Sequence, residues 1–211
     1  MSFDVDLRKT IGESLIELRF TAPDGLTLLW GPSGVGKTSV LNMVAGLLRP
    51  DAGHVRVDGE TLFDGTRGVD LPAHRRRLGY VFQDGRLFPH LRVRANLLYG
   101  YRLARPEDRW MALENVVDFL GIGTLLDRWP RSLSGGEAQR VAIGRALLSG
   151  ARALLLDEPL ASIDVRRRSD IIDVILRIRD ELKLPMLYVT HDPAEAERLA
   201  TRRVDFTPSC R

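Results

Sequence analysis

The segment richest in chemistry runs Gly31, Pro32, Ser33, Gly34, Val35, Gly36, Lys37, Thr38, which fits the pattern G-x-x-x-x-G-K-[ST] in full. Glycines at this spacing let successive backbone N–H groups curl around phosphate oxygens that side chains would obstruct. Lys37 is placed to reach the β- and γ-phosphates as a point charge, and the Thr38 hydroxyl to ligate Mg²⁺. Ser39, the next residue, is grouped with the nucleotide contacts. A helix beginning here would add its positive dipole end. A glycine-rich turn with a chance lysine would not need an apolar strand before it and a helical segment after it. The pattern implies a nucleoside triphosphate and does not say what its energy drives.

A second group follows a buried strand. Ala153 to Pro159 reads ALLLDEP. Carboxylates at the carboxyl ends of parallel strands sit where such sheets bind ligands. The two acids divide the work: Asp157 would hold Mg²⁺, and Glu158 would orient or deprotonate the attacking water. Taken alone the pair could be a solvated strand end; the phosphate loop upstream favours the catalytic reading.

The residues Leu133 to Arg140, LSGGEAQR, resemble the signature sequence of ATP-binding cassette (ABC) ATPases. Physically, Ser134, Gly135, Gly136 and Glu137 open a helix with a hydroxyl and unobstructed N–H groups, a second anion site; the competing reading is a serine N-cap with flexible glycines. The resemblance implies that two such domains pair head to tail, each signature capping the ATP held by the other. Three further segments match in order. Gln83, after LGYVF, is similar to the glutamine that meets Mg²⁺ and water and senses the membrane partner. Leu160 to Asp164, LASID, resembles the loop that crosses the dimer interface. His191, after MLYVT, resembles the switch histidine at the γ-phosphate. The likeness covers roughly residues 1–203 and looks closest to importer ATPases, those for molybdate in particular. It implies a cytoplasmic-face ATPase of the inner membrane with ATP and Mg²⁺ as ligands. The implied partners are a second copy, integral permease subunits and, indirectly, a substrate-binding protein, and not nucleic acid. ABC ATPases that act on nucleic acid or ribosomes carry coiled-coil insertions or two cassettes. Here only about 50 residues separate Gln83 from the signature, without sustained heptads.

Two departures from the family pattern stand out. The early stretch DLRKTIGES has no aromatic residue to stack on adenine, leaving Arg8 as a planar substitute. The end, RRVDFTPSCR, shows no recognisable further strand pair and no regulatory β-rich domain.

The elements that must position these groups can be read coarsely. Ser14 to Phe20 alternates as a strand, Gly25 to Trp30 is a buried one, and Ser39 to Leu48 is helical up to Arg49-Pro50. HVRVDGETLF reads as a hairpin turning at Asp58-Gly59. Leu78 to Phe82, Ala153 to Leu156 and Pro185 to Thr190 are short apolar runs, as expected of strands covered on both faces. Arg92 to about Ser132 is helical and broken by Pro106, Gly121, Gly123 and Pro130. Gly135 to Leu148 and Ser169 to Leu182 are helices, the latter with Ile171, Val174, Ile175, Ile178 and Leu182 on one side. The expected fold is α/β: a P-loop NTPase parallel-sheet core with an N-terminal antiparallel β layer and an inserted helical subdomain. The expected organisation is one domain, 1–211, with its core at about 1–90 and 135–211 and the helical part at about 91–134.

Composition adds exclusions. With 31 basic and 28 acidic residues, the formal charge of +3 argues only weakly for a polyanionic partner. A lone cysteine, Cys210, cannot build a disulfide framework. No stretch approaches the roughly 18 apolar residues of a membrane span, so any membrane role comes through a partner. The runs Arg75 to Arg77 and Arg166 to Arg168 read as solvated faces or acidic-partner contacts. Leu87 to His90 reads equally as core packing or as an apolar patch for a partner helix.

Overall fold

The computed structural model describes residues 2–206, without the side chains of Val165 and Arg166. Cys210 lies outside the described residues. Two sheets form the frame. The first is antiparallel, in the order β2-β1-β4-β5-β6, from β1 (Phe3–Ile11), β2 (Ser14–Ala22), β4 (Ala52–Val57), β5 (Glu60–Asp64) and β6 (Val69–Asp70). The second is parallel, in the order β10-β3-β9-β8-β7, from β3 (Leu26–Trp30), β7 (Leu78–Val81), β8 (Ala153–Asp157), β9 (Met186–Thr190) and β10 (Arg202–Asp205). The helices are α1 (Lys37–Ala45), α2 (Val93–Leu103), α3 (Leu113–Leu120), α4 (Gly135–Leu148), α5 (Val165–Arg177) and α6 (Pro193–Leu199).

The parallel sheet separates two apolar layers, which explains its unbroken apolar strands. Along β8, Ala153 and Leu155 face one layer with α1 and the inner side of the antiparallel sheet, where Phe3, Val5, Leu7, Ile16, Leu18 and Phe20 point. Leu154 and Leu156 face the other, with α2 to α6. Helix α4 lies within that second layer and is apolar on most sides, so a stripe pattern is weak there.

The structure corrects several boundaries. Strand β1 went unread because its charges mask the alternation of Phe3, Val5 and Leu7, all fully buried. Helix α1 starts at Lys37 and stops at Gly46, whose left-handed φ of 78° ends it ahead of Leu48. Helix α5 starts at Val165, four residues before Ser169, and its last turn widens into a π-turn over Ile178–Leu182. The segment near the end holds one strand, β10, at the edge of the parallel sheet beside β3. The hairpin turns at Asp58 and Gly59, both at positive φ (50° and 76°), as an Asp-Gly turn requires. Arg76 lies 1% exposed, not on a solvated face. Its guanidinium donates to the Met43 and Val44 carbonyls at 2.9 Å and so caps the end of α1. Arg77 pairs with Asp108, and Arg168 donates to Ile163 O and Asp192. Among the described residues no helix is long and apolar enough to cross a membrane.

Candidate active site

Parallel strands all finish at one edge of their sheet, and here that edge gathers the chemistry. The pairings Trp30↔Thr190, Asp157↔Val189 and Val81↔Leu156 align the ends of β3, β9, β8 and β7. Gly31, His191, Glu158 and Gln83 therefore leave four neighbouring strands on the same side. Residues 120 and more apart in sequence meet there because crossover helices return each strand in the same direction.

The loop from Gly31 to Gly36 carries positive φ at Gly34 (79°) and Gly36 (105°), conformations that any other residue would strain. At Gly31 the limit is space: a Cβ would lie 2.4 Å from the Phe206 carbonyl oxygen. Pro32, Ser33, Gly34 and Thr38 are exposed, Val35, Gly36 and Ser39 half-buried. Lys37 folds back over the loop, its Nζ donating to the Gly31 and Pro32 carbonyls at 2.7 Å each. Burial lowers its pKa, opposed by the charges of Glu158 and Asp157.

Thr38 Oγ1 donates to Asp157 Oδ1 at 2.9 Å. Burial raises the Asp157 pKa, while the hydrogen bonds from Thr38 and Tyr80 oppose the rise. Two hard oxygen donors side by side suit Mg²⁺, which takes few protein ligands and completes its shell with water and phosphate. Among the described residues no cluster of three or more His, Cys, Asp or Glu forms a site that would cage a metal unaided.

Glu158 sits at φ 44°, a left-handed conformation unusual for glutamate and pinned by its N–H bonding to Val189 O at 3.0 Å. The turn aims its carboxylate at His191, with Oε1 to Nδ1 at 3.2 Å. Thr190, Ala161 and Arg168 join this pair around a hollow of about 140 Å³. Gln83 is exposed immediately past β7. The turn after it is gripped from α4, where Arg145 donates to Arg86 O at 2.7 Å and Gly85 O at 2.9 Å.

The signature residues stand apart. Ser134, Gly136 and Glu137 line a different hollow of about 180 Å³ with Arg140, Arg167 and Asp170, sharing no wall with the phosphate loop. Ser134 Oγ accepts from Glu137 N (3.4 Å) and Glu137 Oε2 accepts from Ser134 N (2.7 Å), a reciprocal cap on α4. The Ser134 backbone N–H bonded to it holds the Glu137 carboxyl below its ordinary range. The 160–164 loop presses on this tip, since a Cβ at Gly135 would lie 3.0 Å from Ser162 O. One chain thus unites the phosphate loop with Gln83, Asp157, Glu158 and His191, and leaves Ser134 to Glu137 outside that group.

A groove of about 490 Å³ runs from the phosphate loop to the β1–β2 turn, lined by Ile11, Leu15, Ile16 and Val35 among others. Arg8, exposed farther down β1, is not in its wall. Sequence reasoning missed Ile11 as well as Tyr80, whose only signal was a hydroxyl-bearing ring within the apolar run LGYVF.

The family model described as ABC transporter matches residues 16–161. The chain belongs to the ABC transporter family. It is 54% identical over 197 residues to the molybdenum import ATP-binding protein ModC of Paramagnetospirillum magneticum, covering 93% of this chain and 54% of that one. It is 52% identical over 201 residues to the ModC of Mesorhizobium japonicum, covering 95% and 54%. The chain spans about half the length of the curated relatives it matches. Among solved structures, the bacterial ABC transporter cassette MJ0796 in dimeric form superposes with a TM-score of 0.78 at 26% identity, covering 98% of this chain and 94% of that one. The two-sheet core with its helices is therefore the P-loop NTPase fold of ABC cassettes, as the sequence resemblance implied.

Proposed function

We propose that this chain is the ATP-hydrolysing part of a membrane importer for a small oxyanion, molybdate, working as a pair of copies at the cytoplasmic face of the inner membrane. The observation that carries the reading is the single sheet edge on which phosphate loop, paired carboxylates, Gln83 and His191 converge. The substrate rests on the likeness to molybdenum importers of two bacteria.

The reaction follows from the groups in place. The 31–38 loop and α1 take the triphosphate, with Lys37 against the β- and γ-phosphates. Mg²⁺ held by Thr38 and Asp157, with Gln83 nearby, would neutralise charge that builds on the phosphates. Glu158 orients a water onto the γ-phosphorus and accepts its proton as the bond to the β-phosphate oxygen breaks and ADP leaves. His191, whose Nδ1 lies 3.2 Å from Glu158 Oε1, presents Nε2 to the γ-phosphate. A partner copy brings its own Ser134 to Gly136 to close the site. Tyr99 and Leu103, 48% and 75% exposed on α2, continue the apolar surface of Phe88 and suit contact with permease subunits that also engage the substrate-binding protein.

The test is Glu158→Gln, which keeps shape and removes the base. ATP turnover should fall on the order of 10²–10⁴-fold with nucleotide binding retained. Undiminished turnover would remove Glu158 from the mechanism.

A further inference from the structure

The phenol of Tyr80 touches the metal-holding carboxylate from the side opposite Thr38. Its oxygen lies 3.2 Å from Asp157 Oδ2 and 3.2 Å from Asn42 Oδ1, while Thr38 holds Asp157 Oδ1. Asn42 is four residues beyond Thr38 on α1, hence one turn down the same helix face. The phenol has one proton to give. The carboxylate is the stronger acceptor, so the proton goes to Asp157; a half-turn of the Asn42 amide then exchanges Oδ1 for Nδ2, which donates to the phenol oxygen in place of competing for its proton.

The ring is fixed as firmly as its hydroxyl. Tyr80 stacks on Phe82 with centroids 4.0 Å apart and planes within 16°, and the Arg86 guanidinium covers the far side of Phe82 at 4.0 Å. Asp157 is thereby connected through two stacked rings to the loop that starts at Gln83. Without Tyr80 one carboxylate oxygen would lose its donor, and the group could rotate away from the Thr38 hydroxyl.

We infer that Tyr80 is a positioning residue for the metal site, with Asn42 directing its hydroxyl so that Asp157 presents a fixed face to a cation shared with phosphate. This rests on the proposed nucleotide-and-metal function. Tyr80→Phe removes one oxygen and keeps the stack, which makes it the discriminating variant.

Mn²⁺ replaces Mg²⁺ as a spectroscopic probe. Free Mn²⁺ is titrated by electron paramagnetic resonance against the full chain with a non-hydrolysable ATP analogue, and analogue affinity is measured separately in EDTA. The expected result is Mn²⁺ affinity reduced about tenfold, with metal-free analogue affinity changed less than twofold. Mn²⁺ affinity within twofold of wild type would overturn the inference. So would an equal loss of metal-free nucleotide affinity, which would mark general damage to the loop. Should Tyr80→Phe not fold, Asn42→Ala decides by the same pair of titrations: a selective loss of Mn²⁺ affinity supports the relay and no loss overturns it. A wild-type chain binding neither probe would instead bring down the nucleotide reading, and this inference with it.

Discussion

Among the described residues no aromatic side chain lines the groove beside the phosphate loop, where the adenine of the proposed nucleotide would lie. Ile11 ends β1 just before Gly12, is 42% exposed, and overhangs the groove beside Pro32 to Gly36. Covering a fully exposed isoleucine is worth about 1.5–3 kcal/mol, so covering the exposed 42% yields at most about 0.6–1.3 kcal/mol. Stacking a base on an aromatic ring is worth about 1–3 kcal/mol. Replacing Ile11 by tyrosine should therefore add about 1 kcal/mol, roughly a fivefold tightening of ATP. The assay is calorimetric titration of ATP and of inorganic tripolyphosphate into Ile11→Tyr, both in a Glu158→Gln background that suppresses turnover. ATP should tighten and tripolyphosphate should not, because only ATP carries a base. An ATP affinity changed less than twofold, or equal tightening of both ligands, would refute the placement of adenine on Ile11.

Arg76→Met should destabilise the fold by about 3–5 kcal/mol in urea melts, since it strips a buried donor from the Met43, Val44 and Leu71 carbonyls and leaves Asp70 with only the exposed Arg49. A loss below about 1 kcal/mol would show that water replaces the cap. Asp64 accepts hydrogen bonds from the Thr66 hydroxyl and the Arg67 and Thr66 amides, which lower its pKa below 3.8. A depressed carboxylate stabilises the fold above the unfolded-state pKa and loses that contribution as pH falls through the folded one. Asp64→Asn should thus melt lower than wild type at pH 7, with the gap closing below pH 3.8; a gap unchanged by pH would contradict the assignment.

The parts of the site that a local pattern can encode were legible in the sequence. GPSGVGKT needs its glycines where φ is positive or space is short, and Asp157 and Glu158 end a strand whose burial on both faces shows as an unbroken apolar run. What was hidden depends on partners distant in sequence. Arg76 looked like one of three solvated arginines because nothing local reveals that α1 ends against it. Tyr80 looked like core because its hydroxyl finds use only when β7 lies beside β8. Strand β1 sets charged Asp4, Asp6 and Arg8 between its apolar residues, and those charges hide the period from a purely apolar count. Strand β10 is four residues long and exposed outside Val204, too short to leave a period.

Ser134 to Glu137 show how the two readings of a helix tip are reconciled. As an N-cap, Ser134 spends a lone pair on Glu137 N, and Glu137 spends its carboxylate on Ser134 N. That carboxylate opposes the positive end of α4, so the tip by itself is a poor anion trap. The cap nevertheless leaves the Ser134 hydroxyl proton unspent, because accepting and donating use different parts of the group. It also leaves the Gly135 and Gly136 amides at helix positions that have no carbonyl of their own to meet. Arg140 and Arg167 line the same hollow and offset the charges of Glu137 and Asp170 there. A tip with rigid donors but a nearly cancelled field holds phosphate only when something else delivers it. In the proposed pair of copies, the partner's phosphate loop supplies most of the binding and this tip supplies the fit that registers closure.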